Sequence, residues 1–393
     1  MPKFSWLGMS ALKRRPPNLH FLRRVSITYF VHVCTWSLPS FVGGTRIKPH
    51  KITAARLDLS GLIRGVAMKA IHARCRLFVL VGWLAAGIPL LSQTTPQRFV
   101  AITIDDLPAG DANSMTGAEI VEMTTKLLTT LQQQKVPAIG FVNEQKLYKV
   151  GEVDERIKSM SLWLDDGFEL GNHTFAHTSL NRVTLAAWEE EVVRGETVTR
   201  MLMAQHKMKL RYLRHPYLDA GNDLQTRREA EAFLAQRGYQ VAPVTMDAWD
   251  WMYAGVYADA RKRQDTAMEQ QLVSSYLSYT STIFDYYEKL SKSLLGYEPK
   301  QVLLLHATWL EADHIGDVLD LLRKRGYQFI TLQNAISDPA YSTPDEYVGE
   351  GTGWIDHWAI TRGQPPLGTP SFPQWVIDKS REIHGRNPAA ASD

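Results

Sequence analysis

Residues 100–106 read VAITIDD, an apolar, β-branched run that stops at two adjacent carboxylates, Asp105 and Asp106. The run predicts a buried strand. Similar runs recur at 138–143 (AIGFVN), 168–173 (FELGNH), 212–217 (YLRHPY), 240–246 (QVAPVTM), 301–307 (QVLLLHA) and 328–332 (QFITL). Most are separated by stretches with helical spacing of apolar residues, at 117–134, 185–205, 226–237 and 315–325, the last stopped by Gly326. Such alternation implies an α/β fold with a parallel sheet covered by helices. Seven strands suit a (β/α) barrel, with an open doubly wound sheet as the alternative. The Tyr-rich stretch 257–296 reads as a helical excursion over the barrel.

In such barrels the chemistry comes from the C-terminal ends of several strands. Here strand one ends in Asp105-Asp106, strand three runs into HTFAH (173–177), and strand four ends in RHPY (214–217). Strand five runs into DAWDW (247–251), and strand six ends in His306. His173 and His177, four residues apart, offer two imidazoles on one side of a turn, a donor pair suited to zinc or a similar divalent ion. Asp106 or Asp105 supplies a third ligand. Two adjacent aspartates repel each other, and a dication relieves that repulsion.

Charge divides the chain of 393 residues into two unlike parts. Residues 1–97 hold 14 Lys+Arg against one acid, Asp58, whereas residues 98–393 hold 30 against 40. An acidic catalytic region repels phosphate, so nucleic acid is not expected as a partner. Within the basic part, MKAIHARCR from Met68, the apolar run Leu77–Leu91 and then Ser92 form the pattern of a secretory signal peptide. We expect translation to begin at Met68, with 1–67 an over-extension, 68–97 a signal peptide or membrane anchor, and the protein exported. A transit peptide or a basic tail are the other readings of the same residues. Both cysteines, Cys34 and Cys75, lie in this part, so any metal in the mature form would be held by His and Asp.

The ordered set TIDD (103–106), HTFAH, RHPY, DAWDW and LLLH (303–306) resembles the five motifs of the NodB-homology polysaccharide deacetylases, carbohydrate esterase family four. The resemblance spans roughly 98–335 and implies a distorted (β/α)7 barrel within a catalytic domain at 98–340. It implies that Asp106, His173 and His177 bind a divalent metal, most often zinc, with cobalt among the alternatives. Asp105 would be the general base toward the attacking water, and His306 the acid that protonates the departing amine. Arg214 would hold Asp105 and, as an adjacent cation, lower its pKa, while Asp250 would support His306. A backbone N–H near Tyr217 would face the oxyanion, and Trp251 would wall the acetyl pocket. The implied substrate is an N-acetylated oligo- or polysaccharide. An amidase or O-acetyl esterase using the same site, or a silent carbohydrate-binding homologue, are the alternatives.

The chain departs from the family pattern in three places. Ile104 stands where Phe is usual, Leu107-Pro108 follow the aspartates in place of Gly, and Leu218 follows Tyr217. None removes a ligand or an acid–base group, so they bear on substrate preference. In the C-terminal part 341–393, Trp354, Trp358 and Trp375 are expected to pack on the barrel, and the final NPAAASD to be disordered.

Overall fold

The computed structural model describes residues 97–364 and 368–386. The leader readings for 1–67 and 68–96, and the NPAAASD terminus, lie outside the described residues. In chain order the elements are β1 (Arg98–Leu107), α1 (Gly117–Gln133), β2 (Ala138–Val142), α2 (Val153–Asp165), β3 (Glu169–Asn172), α3 (Leu185–Arg194), α4 (Thr197–Gln205) and β4 (Tyr212–Leu213). Next come α5 (Leu224–Gln236), β5 (Gln240–Val241), β6 (Met246–Asp247), α6 (Trp251–Lys262), α7 (Thr266–Leu295) and β7 (Gln301–His306). The series ends with α8 (Trp309–Lys324), β8 (Tyr327–Phe329), α9 (Leu332–Ala335), α10 (Trp354–Thr361) and α11 (Gln374–Arg386).

Every strand pair is parallel, and the order is β5-β4-β3-β2-β1-β7-β6, with β8 paired to the first residues of β1. The two ends of this ladder belong to one run of chain, Gln240–Asp247. The run pairs with β4 at its start (Leu213↔Val241) and with β7 at its finish (Asp247↔Leu304). The expected single strand at 240–246 is therefore two strands with different partners. The change of side falls at Pro243, which has no N–H to give a ladder, between Ala242 N bonded to Leu213 O at 2.8 Å and Thr245 N bonded to Val302 O at 3.0 Å. Counted as one, this run makes seven strands in a curled parallel sheet: the distorted (β/α) barrel, not the open sheet.

Strand alternation sorts the core into two groups. Val100, Ile102 and Ile104 pack toward the helices, while Ala101, Ile139, Phe141, Tyr212, Ala242 and Val302 form a smaller group inside the barrel. Period two then puts Thr103 and Asp105 on the interior face with Ala101. Around the sheet, α1 starts at a capping box of Thr116 and Glu119 and buries Ile120, Met123, Leu127 and Leu131. Helix α8 is capped by Thr308, two residues after His306 ends β7.

Two helical expectations change. The stretch 185–205 is two helices, α3 and α4, divided at Gly195. A Cβ there would lie 2.7 Å from both Phe175 N and Thr174 C, so only glycine lets this turn sit against the HTFAH loop. The stretch 257–296 falls across α6 and α7, which are separated before the N-cap Asp265. Trp354 and Trp358 are buried, and Trp375 is partly so against the core. Among the described residues no helix is long and apolar enough to cross a membrane.

Candidate metal centre and acid–base pair

The predicted residues from strands one, three, four and six meet at one end of the barrel. Asp105 and His306 are register partners on β1 and β7. Asp106, His173 and His177 each offer one ligand atom, and these atoms lie within 4.8 Å of one another. Asp106 Oδ1 stands 3.5 Å from His177 Nε2 and 3.9 Å from His173 Nε2, and Asp105 Oδ2 is 3.6 Å from His173 Nε2.

Hydrogen bonds orient this set. His173 Nδ1 lies 2.8 Å from the carbonyl of Arg214, so as an N–H donor it leaves Nε2 with its lone pair facing the carboxylates. Asn143 Nδ2 donates to His173 O at 2.6 Å, and Asn172 Oδ1 accepts from Thr174 N at 2.8 Å. On α3, the Glu191 carboxylate accepts from Ala176 N at 2.8 Å and from the Thr178 hydroxyl at 2.9 Å. The HTFAH segment is therefore a braced loop and not a helical turn. Thr174 and His177 sit at φ 60° and 55°, and Asp106, Tyr217, Leu218 and Trp249 are also left-handed. Positive φ at non-glycine residues is costly, and here it collects at the strand ends that carry the candidate chemistry.

Burial pushes the His173 imidazole well below its ordinary range, with His177 adding to the effect, and it lowers His177 as well. Both rings are thus neutral donors near neutral pH. Burial alone would raise Asp106, but Lys146 and the two imidazoles outweigh it and hold this carboxyl below its usual range. Two neutral imidazoles and one ionised carboxylate form a donor set that fits a divalent cation.

Behind the metal set, Arg214 is fully buried. Its Nη1 reaches both Asp105 oxygens at 3.2 and 3.3 Å, Nη2 reaches the Thr103 hydroxyl at 3.0 Å, and Nε donates to Ala242 O at 2.9 Å. The contact expected between Arg214 and Asp105 is present. The expected lowering of the Asp105 pKa is not: burial pushes it up to about 6, against the pull of Arg214 and His306. Desolvation of a carboxylate that is only 2% exposed outweighs one neighbouring cation.

Opposite, His306 Nδ1 lies 2.8 Å from Asp250 Oδ1, and His306 N donates to Oδ2 at 2.7 Å. Burial would lower this imidazole, but Asp250, followed by Asp106 and Asp105, pushes it up to about 10. Tyr217 is half exposed, with its ring centroid 4.4 Å from that of His177. The carbonyl of Tyr217 is covered by Gly351, where a Cβ would lie 1.8 Å away, and Gly351 N donates to Asp219 at 2.8 Å. Trp251 is also half exposed and stacks on Trp249 at 6.2 Å.

Asp247, the first residue of DAWDW, is partly covered, and desolvation pushes it up to about 6. One polar residue was not anticipated. Lys146, in the short 3-10 turn Glu144–Leu147 after β2, places Nζ 3.2 Å from Asp106 Oδ1. Its position just past a strand end was the available signal.

A candidate carboxylate–bis-imidazole centre and a flanking carboxylate and imidazole thus lie together at one end of a curled parallel barrel. Residues 92–242 match the family model for polysaccharide deacetylase. A chitin deacetylase of Colletotrichum lindemuthianum is 25% identical over 256 residues, covering 64% of this chain and 84% of that protein. A peptidoglycan-N-acetylglucosamine deacetylase of Bacillus cereus is 22% identical over 239 residues, covering 59% of this chain and 66% of that protein. The solved Colletotrichum lindemuthianum chitin deacetylase aligns at a TM-score of 0.41 and 21% identity, over 61% of this chain and 88% of that one.

Proposed function

We propose that the protein is a metal-dependent hydrolase that removes acetyl groups from an N-acetylated glycan. The observation that carries this is the facing pair Asp105 and His306 on neighbouring strands beside the Asp106–His173–His177 set. A divalent ion, zinc by the donor set, would supply Lewis-acid polarisation of the acetamide carbonyl and acidify water. Asp105, held by Arg214, takes the proton from the attacking water. His306, kept protonated by Asp250, delivers a proton to the nitrogen as the C–N bond breaks, releasing acetate and a free amine. Tyr217 and Trp251 are the exposed aromatic surfaces against which a sugar ring would lie. The domain at 98–340 carries all of these residues, and the signal-peptide pattern before it supports export.

The test is acetate release from N-acetylglucosamine oligomers by protein stripped with a chelator and then reloaded with zinc. Activity should vanish and return. Full activity in the stripped protein overturns the reading.

A further inference from the structure

Two cations, Lys146 and Arg182, stand beside the candidate metal set. Lys146 is the cation within ion-pair distance of Asp106, and its side chain is mostly covered. Its backbone is fixed independently of that side chain. The fully buried Arg156 donates Nη1 to Lys146 O at 2.7 Å, Lys146 N bonds Asn143 O at 3.1 Å, and Gln145 N bonds Phe175 O at 3.0 Å. Arg156 also holds the loop after β1 through Ala112 O and Met115 O, so the turn carrying Lys146 is tied to the strand end that carries Asp106. Near His177, the exposed Arg182 lays its guanidinium over the Tyr217 ring at 4.6 Å and has no ion pair among the described residues.

Asp106 is the carboxylate that Lys146 shares with both imidazoles. Once it ligates a dication, the ammonium faces a like charge, with a guanidinium nearby. That excess is unfavourable unless an anion arrives with the ligand. We propose that Lys146, with Arg182, selects N-acetylated glycans that carry an anionic oxygen group, carboxylate or phosphate, beside the acetamido sugar. The proposal rests on the deacetylase reading for the reacting group, but not for ligand binding.

The experiment uses the full chain loaded with zinc and three matched tetrasaccharides of N-acetylglucosamine type: neutral, carrying lactyl carboxylates, and carrying 6-phosphates. The wild type should favour one or both anionic substrates, and the preference should shrink as salt is raised. Lys146→Gln should lower the anionic-to-neutral ratio of kcat/KM by about tenfold or more, chiefly through KM, and Lys146→Arg should keep most of it. The carboxylate and phosphate arms tell which anion is read. No anionic preference in the wild type, or an equal loss on all three substrates in Lys146→Gln, overturns the proposal. If no substrate releases acetate, the deacetylase reading fails, and calorimetric binding of the same three decides this one. An anionic preference abolished by Lys146→Gln upholds it, and equal or absent binding overturns it.

Discussion

Asp250 grips His306 at two points, taking a backbone N–H on one oxygen at 2.7 Å and facing the ring Nδ1 with the other at 2.8 Å. The same carboxylate therefore places the imidazole and keeps it charged. An acid of this kind works only while protonated, so activity should fall as pH rises through its pKa, pushed up here to about 10. Asp250→Asn removes the main cause of that rise and leaves burial, which acts downward. The alkaline limb of kcat/KM against pH should move down by several pH units, with a loss of about 100-fold at pH 8. An unmoved limb would show that His306 is not the acid.

Asp105→Asn keeps the shape at the end of β1 but removes the proton acceptor. Turnover should drop by about 10²–10⁴-fold while bound zinc, measured by metal analysis after dialysis, stays near one per chain. Loss of metal together with activity would place Asp105 among the ligands instead.

His177→Ala removes a donor from the three-residue set. Zinc affinity in a competition titration should weaken by more than the roughly 10–100-fold that loss of an outer partner costs. An unchanged affinity would rule the set out as the metal centre.

Arg214→Met leaves Asp105 buried without its cation. Breaking such a pair costs about 3–5 kcal/mol. The sign with pH follows from Asp105, already pushed up to about 6 and raised further without Arg214. At pH 8 folding must bury an ionised carboxylate, whereas near pH 5 the group takes up a proton and escapes most of the penalty. Urea unfolding should therefore show a larger deficit at pH 8 than at pH 5.

Gly351→Ala would press a methyl group into the carbonyl of Tyr217. Overpacking of this kind costs about 1–3 kcal/mol, and the strain would fall on the loop beside His177. Both the urea midpoint and kcat/KM should fall; a shift in the midpoint alone would show that the Tyr217 loop is not part of the site.

The strand ends were readable because alternation and an abrupt polar stop are local properties, and VAITIDD displays both. HTFAH was readable as a donor pair, but its braced, left-handed backbone was not, because braces come from Asn143 and Glu191, 30 and 15 residues away from the groups they hold. The division of 240–247 escaped for the same reason: nothing within QVAPVTM says that its two ends pair with opposite edges of the sheet. Asp105 shows a different limit. Its neighbouring cation was implied by the family resemblance, but the desolvation that outweighs Arg214 depends on how deep β1 lies.

The register of β1 with β7 sets Asp105 beside His306, two residues separated by most of the domain's length. The proposed proton acceptor and donor thus become neighbours only after a very long loop of chain has closed, whereas the candidate metal-set residues all come from the first half of the barrel. Pairings of such high contact order form slowly. A nascent chain would hold the whole candidate ligand set well before it possessed the proposed acid, so competence would arrive in a single late step, when the last long strand docks.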